Sequence, residues 1–177
     1  KFNIKDVQKA GAIFDISKLN WINSQHLANL NVEDFKKHLD PFLKEKEIDL
    51  DSHENSDLLI DSMRSSENNL RLIAESLVPY FKKIDNYDLK AIDKFVNNKI
   101  EILQNLREIL FDLNDWNVDQ IDLCIKNYQN KNNFSTPEVN QPIRIALTGS
   151  TKSPSLGLTL FIFGKNESIQ RLSLIHI

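Results

Sequence analysis

Apolar residues recur at spacings of three and four along most of this chain, the period of a helix that lays one face on a core. In "ENNLRLIAESLVPYF" Leu70, Ile73 and Leu77 share such a face, with Ser65 or Ser66 as the expected N-cap. Asn31 caps "VEDFKKHLDPF" and puts Glu33 and Asp34 in the first turn, where acids meet the positive helix end. Pro41 should limit how far that helix runs. The charged stretch from Glu45 to Ser56 reads as a loop or a short helical piece. In "NYDLKAIDKFVNNKIEILQNLREILFDL" a stripe of Ile100, Leu103, Leu106, Ile109, Leu110 and Leu113 predicts helix, broken in two near Asn97 and Asn98.

"WNVDQIDLCIKNY" places Asn117 three residues before Gln120, a variant of the capping box. "QNKNNFSTPEVNQP" has no apolar period and reads as a polar loop of fourteen residues. The apolar run before Gly149 is strand-like when taken alone. Ser153 and Pro154 then suit an N-cap and a first helical position, and Gly164 suits a left-handed close of that helix. "ESIQRLSLI" predicts a last short helix. No strand pair with hairpin chemistry appears, so the expected class is all-α.

The length of 177 residues allows one or two compact units. An apolar share of 41% and a charged share of 27% are ordinary for a soluble globular protein. Glycines are few, as in a mostly helical chain. Cys124 stands alone, so no internal disulfide is possible and a reducing compartment is expected. The longest apolar-rich run, Leu156 to Phe163, is far below the roughly 18–20 residues that span a bilayer. "KFNIKDVQKAG" has no apolar h-region, so no signal peptide is expected, and the missing initiator Met suits a processed chain or a piece of a longer one.

Charge changes the picture slightly. The net value is −3, yet the segment from Lys126 to Ile177 carries +4, leaving −7 for the 125 residues before it. Lys126, Lys131, Arg144, Lys152, Lys165 and Arg171 make that tail basic, a pointer either to a polyanion site or to a solvated face.

Candidate chemistry is sparse. "GSTKSP" holds phosphate-loop residue types without the spacing, because no Gly-Lys-Ser/Thr follows Gly149 after four residues. His26, His38, His53 and His176 show no metal-ligand spacing, and Asp49 and Asp51 sit in a charge-rich loop. Cys124, Trp21 and Trp116 read as core residues. That leaves Arg144 and the turn from Thr148 to Leu156. Its backbone donors, small hydroxyls, lysine and helix N-terminus could receive phosphate or base edges, or simply connect two helices.

Two stretches resemble one family. In "AGAIFDISKLNWINSQHL", Ala12, Phe14, Asp15, Lys18, Leu19, Trp21 and Asn23 fit the segment that follows the catalytic half of bacterial glutamyl-tRNA synthetases, with Ser24 where the family usually has Gly. "PIRIALTGSTKSPSLGLTLFIFGKNESIQRL" is similar to that family's closing motif, with Phe163 for the usual Leu and Asn166 interposed before Glu167. The motifs lie at opposite ends, so the resemblance covers nearly the whole chain. The family's His-Ile-Gly-His-like and Lys-Met-Ser-Lys-Ser-like motifs are absent. The terminal "LIHI" matches the first for only two residues.

The resemblance implies two consecutive helical-bundle subdomains of a class I aminoacyl-tRNA synthetase anticodon-binding region, at 1–85 and 86–177. The first would begin with the end of the tRNA stem-contact region, and the second would bind the anticodon. It further implies that Arg144 approaches the anticodon, and that Ser153, Pro154 and Leu156 contact its last base. Thr148, Gly149, Ser150 and Lys152 complete that surface, and Arg64 is the nearest match to a family Arg that reads the first anticodon base. No catalytic or metal-binding residue is expected in this chain. ATP, glutamate and Mg2+ belong to the missing catalytic half, and the parent enzyme joins glutamate to its tRNA through a glutamyl-adenylate. The expected partner is glutamate tRNA, with glutamine tRNA as a second substrate if the parent does not discriminate. The expected state is a cytoplasmic monomer that does not meet a membrane. The alternative is a helical protein-interaction scaffold without RNA binding.

Overall fold

The computed structural model of the protein describes residues 14–64 and 67–173. Ala10 to Ala12 of the first motif, the proposed caps Ser65 and Ser66, His176 and the "LIHI" terminus lie outside the described residues. The described residues form α1 (Ile16–Asn29), α2 (Val32–Glu45), a 3-10 turn (Leu50–Ser52), α3 (Ser56–Met63), α4 (Leu70–Phe81), α5 (Leu89–Phe95), α6 (Ile100–Phe111), α7 (Val118–Asn132), α8 (Thr136–Thr148) and α9 (Leu156–Ser173). No strand occurs among them, in keeping with the all-α expectation.

Two hydrophobic cores organise these helices. One gathers Leu27, Phe35, Leu39, Leu43, Ile60 and Ile73 with their neighbours on α1 to α4. The other gathers α5 to α9 around Leu103, Leu106, Ile121, Ile143 and Leu160. Helix α9 serves both, packing against α6, α7 and α8 while Ile162 enters the first core. Tyr80 of α4 stacks on Phe163 of α9 at 4.7 Å, which seals the junction.

Several elements follow their sequence signals. The Asn31 side chain accepts from Asp34 N, and that of Asn117 accepts from Gln120 N. The break at Asn97 and Asn98 separates α5 from α6.

Others depart from them for tertiary reasons. Pro41 does not end α2, which continues to Glu45. Leu39 and Leu43 flank it and are buried; together they contribute about 3–6 kcal/mol, which offsets the ~3 kcal/mol of a proline inside a helix. The stretch after Glu45 holds a full helix, α3, with Leu59, Ile60 and Met63 buried. Helix α4 begins later than the serines predict, at Leu70, and Asn69 caps it by accepting from Leu72 N.

The fourteen-residue polar loop is two helix ends and a tight joint. Asn133 closes α7 in the left-handed conformation at φ 55°. Glu138 Oε2 then accepts from Ser135 N and Ser135 Oγ at 2.9 and 2.6 Å, starting α8. The strand-like run before Gly149 is the buried end of that helix. On α6 the buried stripe uses Ile102 in place of Ile100 and Ile109, which are exposed.

Gly164 does not close a helix in the left-handed helical region. Its φ of 74° and ψ of 163° form an extended kink that in practice only glycine adopts, and it splits α9 into two halves. Beyond the kink the chain folds back, so Ser168 Oγ reaches Leu160 O at 3.1 Å and Leu172 joins the second core. Trp116 packs against that same core, with its indole N–H buried and unpartnered among the described residues. Trp21 does not behave as a core residue. It is 63% exposed, alongside Phe14 at 76%.

Candidate functional site

The turn between α8 and α9 is built from the backbone outward. Gly149 takes φ +72° and donates to Ile145 O at 2.8 Å, while its own carbonyl accepts from Asp88 N at 3.2 Å. A Cβ there would sit 3.0 Å from Ile84 Cγ2 and 3.3 Å from Asn86 O, both in the segment joining α4 to α5. The turn is thus pinned against the connection between the two cores, and glycine is required both for its dihedral and for the closeness of approach. Thr148 is buried, and its hydroxyl donates to Arg144 O at 2.9 Å.

Arg144 holds the other side of the loop. Its Nη1 donates to Ser153 O and Ser153 Oγ, each at 2.6 Å, and to Pro154 O at 2.8 Å. The group is half-buried, and desolvation pulls its pKa below the ordinary arginine value. Nε and Nη2 have no hydrogen-bond partner among the described residues. One edge of the guanidinium therefore shapes the loop, and the other carries no hydrogen bond to the described residues.

The N-terminus of α9 differs from its sequence signal. Ser153 and Pro154 lie before the helix, and Ser155 is the cap, its carbonyl accepting from Thr159 N at 2.9 Å. Asp122 of α7 decides the matter from outside. Its Oδ1 accepts from Gly157 N at 2.9 Å, and a Cβ on Gly157 would collide with that carboxylate at 2.5 Å. The donor end of α9 already holds an anionic group, so it is not the open phosphate site that the sequence allowed.

Ser150 Oγ accepts from Lys152 N at 3.2 Å, and Lys152 reaches across to Glu67 with an N–O distance of 2.8 Å. Glu67 is nearly buried while Lys152 is exposed. The loop is thereby brought beside the segment that follows Arg64. Arg64 itself pairs with Asp61 at 3.0 Å and donates to Ala28 O at 2.9 Å, fastening α3 to the end of α1. Asn23 donates from Nδ2 to Asn68 O in the same neighbourhood. Leu156 is 3% exposed and belongs to the second core, so it anchors the loop from below.

The basic tail proves less basic at its surface than its composition suggests. Arg171 is buried, with Nη1 on Leu147 O at 2.7 Å, Nε on Glu167 at 2.6 Å and its guanidinium 4.3 Å from the Phe163 ring centre. Lys165 donates to Leu113 O at 2.8 Å. Lys126 and Lys131 are exposed on α7. Charge counting missed this, because lysine and arginine also cap helices and fasten carbonyls inside a fold.

Beneath the loop lies Tyr80, which sequence reasoning did not single out. It is buried, and desolvation raises its pKa to about 12. Its hydroxyl approaches Thr159 without completing a hydrogen bond. Cys124 is half-buried, and burial pushes its thiol up, away from nucleophilic use. Among the described residues no group of His, Cys, Asp or Glu is placed to hold a metal ion, and no helix is long and apolar enough to cross a membrane.

Comparison with known proteins gives one consistent answer. A family model described as an anticodon binding domain matches residues 32–175. A glutamate–tRNA ligase of Myxococcus xanthus is 33% identical over 173 residues, covering 97% of this chain and 36% of the relative. Among solved structures, a glutamate tRNA ligase from Elizabethkingia meningosepticum in complex with its amino acid has a TM-score of 0.77 at 25% identity, over 98% of this chain and 34% of that one. The glutamate-tRNA synthetase of Elizabethkingia anophelis shares the fold, with a TM-score of 0.75 at 24% identity over the same shares. The chain spans about a third of the length of these proteins.

Proposed function

The chain belongs to the anticodon binding domain family, and from that premise we propose that it reads the anticodon arm of glutamate tRNA as the C-terminal part of a glutamate–tRNA ligase. The observation that carries this reading is the Arg144 clamp. One edge of the guanidinium fixes Ser153 and Pro154, and the loop it fixes leaves Lys152 and Ser155 exposed. Anticodon bases are unpaired, so such groups can bond their Watson–Crick edges while Pro154 packs on a base face. Arg144 Nε and Nη2, with Lys152, supply contacts to phosphate or base edges. Residues 1–85 and 86–177 act as the two subdomains in this reading, with Arg64 on the first and the reading loop on the second.

The parent enzyme would join glutamate to its tRNA with ATP and Mg2+, through a half that this chain does not include. The same reading makes the protein a cytoplasmic monomer with no membrane partner, and keeps glutamine tRNA as a second substrate if the parent does not discriminate. A helical scaffold without RNA contact is the second reading. What favours it is the inward use of Arg171 and Lys165.

Titration of this chain with glutamate tRNA, and with the same tRNA carrying a changed anticodon, separates the two. Binding that depends on the anticodon and weakens with salt is expected, and Arg144→Ala should lower affinity roughly tenfold or more and flatten the salt dependence. Ser153→Ala should shift preference at the last anticodon base more than overall affinity. Absence of binding at low salt, both alone and with the catalytic half supplied in trans, would favour the scaffold.

A further inference from the structure

The hydroxyl of Ser153 is saturated. It has one proton to give and two lone pairs to offer. The proton goes to Pro154 O at 3.0 Å, one lone pair accepts from Arg144 Nη1 at 2.6 Å, and the other from Thr159 Oγ1 at 3.3 Å. A nucleotide base can bond this oxygen only if one of those partners lets go. Arg144 is bound to two further carbonyl groups of the loop, at Ser153 and Pro154, so its departure would dismantle the turn. Thr159 holds the longest of the three bonds.

Thr159 is fully buried on α9, and a hydroxyl that releases Ser153 there would be left without a partner, at considerable cost. Next to it stands the hydroxyl of Tyr80, projecting from the last turn of α4; Thr159 lies close enough to lower its pKa, yet no hydrogen bond of ordinary geometry joins the two. The Tyr80 ring is fixed by its parallel stack on Phe163, at an interplanar angle of 5°. An acceptor without a donor therefore lies beside the one donor that must move.

We propose that Tyr80 is a specificity-determining positioning residue: when the loop engages a base, the Thr159 hydroxyl turns from Ser153 Oγ to the Tyr80 oxygen. The exchange frees one Ser153 lone pair to accept from an amino or imino N–H of the base. The number of hydrogen bonds is kept, and a base whose N–H does not fall opposite the Ser153 oxygen gains nothing from the switch. Discrimination at this loop thus depends on a residue of the other helical unit. The inference rests on the anticodon-reading proposal above.

Tyr80→Phe is the test, because it keeps the ring and its stack and removes only the hydroxyl. The variant and the wild type are titrated with glutamate tRNA and with the same tRNA altered at the last anticodon base, and each protein is melted. Expected is roughly a tenfold loss of affinity for glutamate tRNA, no change for the altered tRNA, and a melting temperature equal to or above wild type. In a Thr159→Val background the Ser153 lone pair is already free, so Tyr80→Phe should then change nothing further. Full discrimination by Tyr80→Phe overturns the inference. So does an equal loss on both tRNAs, or a lowered melting temperature, since each marks a structural role. If the wild type itself does not distinguish the two tRNAs, the anticodon reading fails first and the inference falls with it.

Discussion

The two ends of this chain are equally recognisable in sequence and are used in opposite ways. The opening stretch, Phe14 to Leu27, leaves its large residues outside. Phe14, Ile16, Leu19 and Trp21 are all exposed, and only Leu27 of α1 is buried. Its polar residues attach it, Asp15 by capping α1 and Asn23 through Asn68 O. The closing stretch, Arg144 to Arg171, buries most of its apolar residues and turns Arg171 inward, while Lys152 stays exposed. A motif can therefore mark a core or a surface, and the pattern of residue types alone does not say which. The difference teaches that the closing stretch stabilises this chain, whereas the opening one contributes little to its core.

The strongest way to break that comparison is at Arg171. Arg171→Met removes the donors from Leu147 O and Lys82 O and leaves Glu167 without its partner, all at the junction of the two cores. Unfolding in urea should show a loss of about 3 kcal/mol, the scale of a buried charged hydrogen-bond network. A loss below about 1 kcal/mol would mean the guanidinium is only a bystander, and the contrast between the two ends would disappear.

The next effect is one of pH. Burial raises the Tyr80 pKa from 10.0 to about 12. The unfolded chain releases that proton from about pH 10, while the folded one keeps it until about pH 12. The stabilisation is therefore fully present below pH 10 and is lost as pH rises through the folded value, to a limit of about 3 kcal/mol. Alkaline unfolding of the wild type and of Tyr80→Phe should diverge over that window, with the phenylalanine variant less sensitive. Parallel curves would show that the hydroxyl is not as enclosed as the structure places it.

Much of the fold was legible because helices announce themselves locally. Asn31 and Asn117 cap as their spacing predicts, and the pair at Asn97 and Asn98 interrupts its helix as expected. The start of α8 was legible too and was misread. Ser135-Thr-Pro-Glu138 is a capping box, hidden among polar residues because the first turn of that helix faces water. Other features could not be read from one stretch at a time. Pro41 is tolerated because of what Leu39 and Leu43 bury against. Ser155 caps α9, with Asp122 taking the next free N–H from another helix. The meeting of Arg144, Ser153, Thr159 and Tyr80 depends on α4, α8 and α9 coming together, and no local spacing encodes it.

The smallest effect sharpens the comparison most. Trp21→Ala deletes one of the largest side chains in the protein, and a buried tryptophan would cost about 3–5 kcal/mol. At 63% exposed, Trp21 has little of its surface to lose to water, and Asn23 and Leu27 keep α1 in place without it. Urea unfolding should therefore change by no more than about 0.5 kcal/mol, the range of ordinary surface substitutions. A loss of several kcal/mol would place Trp21 in a core of this chain after all, and the two motifs would then share one role. A negligible loss, set against a large one for Arg171→Met, would separate the residue types kept at the opening end from any requirement of this chain's own stability.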